Sequence, residues 1–302
     1  MMTFYKTRLG TWPTLCGTLI LIGAAWLSVD HSGSEASVPG EVAYRPMAGS
    51  LNGASEKSEQ SASPQARHPL DDALEFVQPS VQAVKNIDDY TATFTKTELI
   101  HGRLLTQNMD MKFRASPFSV YLQGRSNRKP GREVIFVAGR NDGKLFVHEV
   151  GLKSIVGTMT LKPEDAKVMD TNRHSITEIG IAKVLESAIE IWKHDKETVD
   201  PANVDVRIAR NVEVCERVCD AVEVSYRSQQ PELAYQVGRI YVDCQTRLPV
   251  QAELYGWPTT PDGEAPLLER YSYTDVTTNV GLSDTDFDPS NPAYRFNISP
   301  RN

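Results

Sequence analysis

"DYTATFTKTE" (residues 89–98) decides how the chain is read. Tyr90, Ala92 and Phe94 alternate with Thr91, Thr93 and Thr95, and residues two apart share one face of an extended strand. A strand with one apolar and one polar face belongs to an antiparallel sheet packed on one side. The next stretch repeats the pattern. In "TQNMDMKFRA" (106–115) Met109, Met111 and Phe113 lie on one face, with Asn108, Asp110, Lys112 and Arg114 on the other. "PFSVYLQG" (117–124) and "REVIFVAG" (132–139) continue the sheet, and "GRNDGK" (139–144) turns into "LFVHEV" (145–150). Gly143 supplies the positive φ that such a tight hairpin needs.

On either side of these strands the period changes from two to that of a helix. "PLDDALEFVQPSVQAVKNI" (69–87) sets Leu70, Leu74, Val77, Val81, Val84 and Ile87 on one stripe. This predicts an amphipathic helix, kinked or divided at Pro79. "SITEIGIAKVLESAIEIWKHDKE" (175–197) predicts another, opened by a Ser175–Glu178 capping box. Its apolar side carries Ile181, Val184, Leu185, Ala188, Ile189 and Trp192. Five further strands are expected at 204–214, 220–228, 235–243, 249–257 and 267–276, separated by turn residues. Sheet, helix and sheet without β-α-β alternation is an α+β arrangement.

The first 30 residues carry Lys6 and Arg8 before an apolar run from Leu15 to Val29. That run suits a signal peptide, or an N-terminal membrane anchor if it is not cut, and the rest of the chain is then exported. Residues 31–68 are rich in Ser, Gly, Ala, Pro and Glu, which predicts a disordered linker. One folded domain over 69–297 and a tail at 298–302 complete the expected organisation.

Of 302 residues, 40% are hydrophobic and 24% charged, and the net charge is −7. That balance argues against a nucleic-acid partner, which calls for concentrated positive charge. The three cysteines past the export segment, Cys215, Cys219 and Cys244, are disulfide candidates of odd number. "CERVC" has neither redox spacing nor, with Cys244 added, four zinc ligands.

Enzyme signatures are absent: there is no G-x-S-x-G, H-E-x-x-H or dinucleotide glycine run. "GRNDGK" is one residue short of a phosphate loop and is followed by a strand rather than a helix. The six histidines fall on separate segments, and His148, beside Asp142 and Glu149, is the nearest to a catalytic candidate. No catalytic residue, cofactor or metal follows from the sequence. "LSDTDFDPSNPAYRF" (282–296) starts like a calcium loop with Asp284, Asp286 and Asp288. Pro289 then stands where the loop needs glycine, and Arg295 where it needs glutamate. The segment is therefore expected to close the sheet, with Phe287 and Phe296 packed inward.

Several of these pieces, in order, carry a resemblance: "YTATFTKTE", "MKFRASPFSVYL", "NDGKLFVHE", "VDCQTRLPVQAELYGWP" and "YSYTDVTTNVGLSDTDFDPSNPAYRF". Over about 69–296 the chain resembles an exported bacterial family called domain of unknown function 1571. More distantly it is similar to Lol-type periplasmic lipoprotein carriers and their outer-membrane receptors. Those share a Y-x-A-x-F-x-K strand, a K-x-R…P strand, a D-G-K hairpin and a late N-x-x-L-x-D-x-x-F. The likeness implies a strongly curved antiparallel sheet, an unclosed barrel, wrapped around two or three helices over an apolar cavity for acyl chains. It transfers no ligand contact to a particular residue, and the long linker and "CERVC" depart from the pattern.

Phe94, Met109, Met111 and Phe113 from the sheet, with Ile181, Leu185 and Trp192 from the second helix, are the candidate cavity residues. Met suits an adaptable apolar wall, although the same residues suit an ordinary core. The expected protein is non-enzymatic and periplasmic or otherwise in the cell envelope, anchored to the inner membrane if the first segment stays uncut. It binds a lipid or a lipoprotein acyl chain. The second reading is a structural or protein-interaction module with a fully packed core. A third, an envelope hydrolase, requires a histidine, a carboxylate and a nucleophile in one pocket.

Overall fold

The computed structural model describes residues 67–125, 131–150, 157–260 and 263–296. The expected export segment, the expected linker before Arg67 and the expected tail lie outside them. Helix α1 (Pro69–Val84) leads into β1 (Asp89–Ile100), β2 (Arg103–Arg114), β3 (Ser119–Gly124), β4 (Glu133–Val137), β5 (Leu145–His148) and β6 (Thr158–Leu161). A one-turn α2 (Ala166–Met169) and the long α3 (Ile181–Thr198) follow. The chain then returns through β7 (Val204–Val214), β8 (Arg217–Tyr226), β9 (Val237–Asp243), β10 (Pro249–Tyr255) and β11 (Leu267–Thr278).

All eleven strands form one antiparallel sheet in the order β6-β5-β4-β3-β2-β1-β11-β10-β9-β8-β7. The two meanders are joined where β1 pairs with β11, and β6 and β7 remain as edges, so the sheet does not close. The register confirms the alternation read from the sequence: Phe94 lies between Met109 and Tyr273, and Tyr90 opposite Phe113. This face packs on the helices in two clusters. One joins Leu70, Ala73, Phe76 and Val77 of α1 to Leu185 and Trp192 of α3 and to β7–β9. The other joins Tyr90, Phe94, Met109, Met111 and Phe113 to Ile181.

Helix α1 opens on a His68 cap, whose Nδ1 accepts from the Leu70 N–H at 3.1 Å. Pro79 does not divide it. The proline sits on the exposed side, while Phe76 and Val77 before it and Ser80 after it are buried and hold the helix on both sides.

Helix α3 starts later than expected. Ser175 caps only a short 3-10 turn, Ile176–Glu178, accepting from the Thr177 N–H, while Glu178 reaches back to the Ser175 N–H and to His174, so half of the expected capping box forms, on this turn and not on the helix. Gly180 interrupts the helical run at φ 129°. The two donors at the true helix start find sheet phenols: Tyr273 accepts from the Gly180 N–H at 3.3 Å, and Tyr90 from the Ile181 N–H at 3.1 Å. Orphan helix donors are thus satisfied by the sheet, which fixes where α3 lies on it.

The opposite face carries a ladder of alternating charge. Arg207, Glu223, Arg239, Glu253 and Arg270 stand directly opposite one another on five successive strands. Arg239 Nε donates to Glu223 at 2.6 Å, and Arg270 Nε to Glu253 at 2.7 Å. Thr97 and Thr106 extend the same row, with hydroxyls 2.9 Å apart. Each charge has the opposite sign on the neighbouring strand, so the buried Glu223, Arg239 and Glu253 remain compensated.

The C-terminal segment closes over β2–β4. Phe287 and Phe296 are buried with Tyr121, Ile135 and Val137. Asp284 pairs with Arg114 and Arg140, and Asp286 with Lys112 at 2.7 Å. Two of the acids that opened a calcium-like motif are thus ion-pair partners, and the third, Asp288, accepts from the N–H and hydroxyl of Ser290 at 2.8 and 2.7 Å.

Candidate functional site

The seven candidate cavity residues all lie between sheet and helices, four on β1 and β2 and three on α3, but the structure divides them. Phe94, Met109, Met111, Phe113 and Ile181 share one cluster, while Leu185 and Trp192 belong to the other. None is more than 8% exposed. Phe94 stacks on Tyr273 and Phe113 on Tyr90, with ring centroids 4.9 and 4.8 Å apart. These side chains occupy the space beneath α3.

Open space lies beside them, where α1 ends. A slot of about 280 Å³ is bounded by the end of α1 and by the facing parts of β10 and β11. Its buried lining is mostly apolar: Leu248, Pro249, Val250 and Tyr273. Its exposed lining is polar: Asn86, Thr246, Thr278 and Asn279. At the polar side Arg217 donates to Asp243 at 3.0 Å, and Asp243 also accepts from the N–H groups of Gln245 and Thr246. Burial raises the Asp243 pKa, but these bonds outweigh it and hold the carboxyl below its ordinary range. Tyr273 links the slot to the Phe94–Met109 cluster behind it. The sequence reading missed the slot residues because they come from segments far apart in the chain, each bland by itself.

Farther along β1 the helix-facing row turns polar. Lys96 Nζ donates to Glu98 at 2.9 Å and also to Asn172. Tyr271 donates to Glu98 at 2.6 Å, and Arg173 and His174 reach Glu269 at 2.9 and 2.8 Å. Burial lowers the His174 pKa, but its bonds to Glu178 and Glu269 prevail and raise it to about 10. Burial drives the Lys96 pKa down and the Tyr271 pKa up. The cluster ties the segment before α3 to β1 and β11, with each charge paired.

The remaining chemistry-bearing residues are dispersed. His148 is 6% exposed, sits edge-on to Phe296, and its Nδ1 has no partner. Its neighbour Glu149 is taken by Arg132 at 2.9 Å, and among the described residues His148 has no ion pair with a carboxylate. Cys215, Cys219 and Cys244 are free thiols, so the disulfide expected among them is not formed here. Burial pushes the Cys219 thiol up to about 12. Among the described residues no group of three His, Cys, Asp or Glu is placed to hold a metal ion, and no helix is long and apolar enough to cross a membrane.

The sheet and slot define a class: α+β proteins in which an unclosed antiparallel sheet, curved around helices, leaves room against its helix-facing side. Within it, the chain belongs to the family described as "Protein of unknown function (DUF1571)", which it matches over residues 87–296. No curated protein matches it. Among solved structures it is similar to the Mycobacterium tuberculosis lipoprotein LppX, at 12% identity and TM-score 0.40, covering 72% of this chain and 99% of that one. It is similar to a LolA superfamily protein from Nitrosomonas europaea, at 11% identity and TM-score 0.28, covering 72% and 97%. The Pseudomonas aeruginosa MucA/MucB complex matches at 15% identity and TM-score 0.38, covering 72% of this chain but 60% of that one. Likenesses at this level concern the arrangement of strands and helices alone.

Proposed function

We propose that the protein is a non-enzymatic component of the bacterial cell envelope that shelters the apolar chain of a lipid or lipoprotein in the slot at the end of α1. The observation that carries this reading is the polarity of the slot, whose buried lining is apolar except for the Arg217-paired Asp243 and whose exposed mouth is polar. An amphiphile entering chain-first meets matching surface along its length. The volume of about 280 Å³ lies just below the range of about 300–1,000 Å³ usual for small-ligand sites, so a short chain fits and a longer one requires the wall to move. Met109 and Met111, behind Tyr273, form the part of the wall best able to repack around a longer chain. The apolar run at residues 15–29 supports export, with the membrane reached through that segment where it is not cut.

Native mass spectrometry of the purified full chain, followed by lipid extraction, tests the proposal. Ala83 lines the slot from α1, so Ala83→Trp is expected to fill it and abolish a lipid adduct carried by the wild type. A wild-type protein that carries no adduct and takes up no added fatty acid refutes lipid binding. The burial of all seven candidate cavity residues then favours the second reading, a packed interaction module of the envelope.

A further inference from the structure

The charge ladder on the outer face of the sheet stops in mid-pattern. Its sign alternates from Arg270 through Glu253, Arg239 and Glu223 to Arg207. Arg207 stands on β7, an edge strand with nothing paired to its outer side among the described residues. Its side chain is 53% exposed, meeting Asp205 of its own strand at 3.0 Å and Glu223 only at 3.9 Å. Exposed contacts of that kind contribute little. One strand farther out, the alternation needs an acid opposite Arg207.

The hydrogen-bond phase of β7 shows which main-chain groups face the open side. The Arg227 N–H donates to the Asn203 carbonyl, and the Tyr226 N–H donates away from β7, to the Gln236 carbonyl. Odd-numbered residues of β7 therefore face β8, and even-numbered ones face outward. The Val204 N–H is taken by the Pro201 carbonyl, which leaves the Val204 carbonyl and both groups of Val206 and Ile208 on the open side. The register shifts between Ala209 and Val212, with Asn211 at φ 54°, so Val204–Ala209 is the regular part of the edge. On the helix-facing side an opening of about 310 Å³ separates Ile208 from Phe76 and Pro79 of α1, and Ile208 is 39% exposed.

About Val206, the run Val204-Asp205-Val206-Arg207-Ile208 is complementary to its own reverse. We propose that a second copy of this chain adds its β7 here, antiparallel, about a twofold axis through Val206. Arg207 of each copy then meets Asp205 of the other, which carries the alternating ladder across the joint, and Ile208 rests beside the second copy's Val204. The two Val206 residues exchange N–H to carbonyl bonds, and each Ile208 N–H donates to the Val204 carbonyl opposite. An axis passing between residues would set outward-facing groups against inward-facing ones. An axis through Asp205 or Arg207 would set like charges against each other. Charge and hydrogen-bond phase thus select the same register, and the partner they select is this sequence itself. The joint is separate from the slot and stands whether or not the slot holds a chain.

Sedimentation velocity of the full chain tests the proposal, and a concentration-dependent equilibrium between monomer and dimer is expected. Asp205→Arg and Arg207→Asp each set like charges opposite one another, and each is expected to weaken the dimer by about tenfold or more. Mixing the two variants restores opposite charges at both positions, so the mixture is expected to dimerise like the wild type. Val206→Pro removes an outward N–H without touching β8 and is expected to abolish the dimer, with an unchanged urea midpoint showing that the fold is intact. Hydrogen exchange at the Val206 and Ile208 amides is expected to slow as protein concentration rises. A wild type that stays monomeric, association indifferent to Asp205→Arg, or a mixture no stronger than its components would each overturn the proposal. Protection of those two amides at every concentration would also overturn it and assign the edge to the chain's own linker.

Discussion

Gly180 holds a conformation that a side chain would contest on two grounds. Its φ of 129° disfavours any residue with a Cβ, and a Cβ placed there would lie 2.8 Å from Cε2 of Phe113. Gly180→Ala is therefore expected to destabilise the protein by about 1–3 kcal/mol, read as a lower urea midpoint at unchanged slope. His174 gives a pH signature. Its folded pKa, about 10, lies above the ordinary 6.5, so its contribution to stability is complete below pH 6.5 and is lost as pH rises towards 10. Between those limits the wild type should lose stability more steeply than His174→Gln in urea titrations at successive pH values. Parallel curves for the two proteins would show that the imidazole does not stay charged in the fold.

Among the elements, the charge ladder makes the most specific demand. Glu253 accepts from Arg270 at 2.7 Å and Tyr255 at 3.1 Å, and lies 3.5 Å from Arg239. Glu253→Gln removes the carboxylate and leaves Arg239, 5% exposed, with a weakened set of partners. The expected cost is about 3 kcal/mol, measured as a fall in the urea midpoint. The ladder was partly legible beforehand. Its charged members recur at residues 207, 223, 239, 253 and 270, one on each expected strand, and aligning the hairpins would have put them in a row. Periodicity within each strand located the strands well, because burial on one face imposes a period of two. It misplaced the start of α3, since Ser175 and Glu178 serve only a short 3-10 turn and two tyrosines from remote strands cap the helix itself.

For the molecule as a whole, the C-terminal segment decides whether one face of the sheet is sealed. Ending the chain after Leu282 removes Phe287 and Phe296, both buried against Tyr121, Ile135 and Val137. At roughly 1.5–3 kcal/mol for each buried phenylalanine, the truncated protein should lose about 3–6 kcal/mol, seen in thermal or urea melts. It should also expose an apolar patch on β3–β4 that binds a hydrophobic dye. An unchanged melt would mean that the segment merely decorates the sheet.

The amino-acid sequence by itself determined the α+β class, the two amphipathic helices, almost every strand and the inward turn of the closing phenylalanines. Each is a matter of local period or turn chemistry, written within some ten to twenty residues. Only the tertiary structure decided where empty space remains. The residues chosen for a cavity are close-packed, and the slot opens instead where α1 ends against β10 and β11. A void is what is left after distant segments meet, so no single stretch of sequence encodes it. The same holds for Arg210 and Arg247, which share one carboxylate only because β7, β8 and the β9–β10 turn converge there.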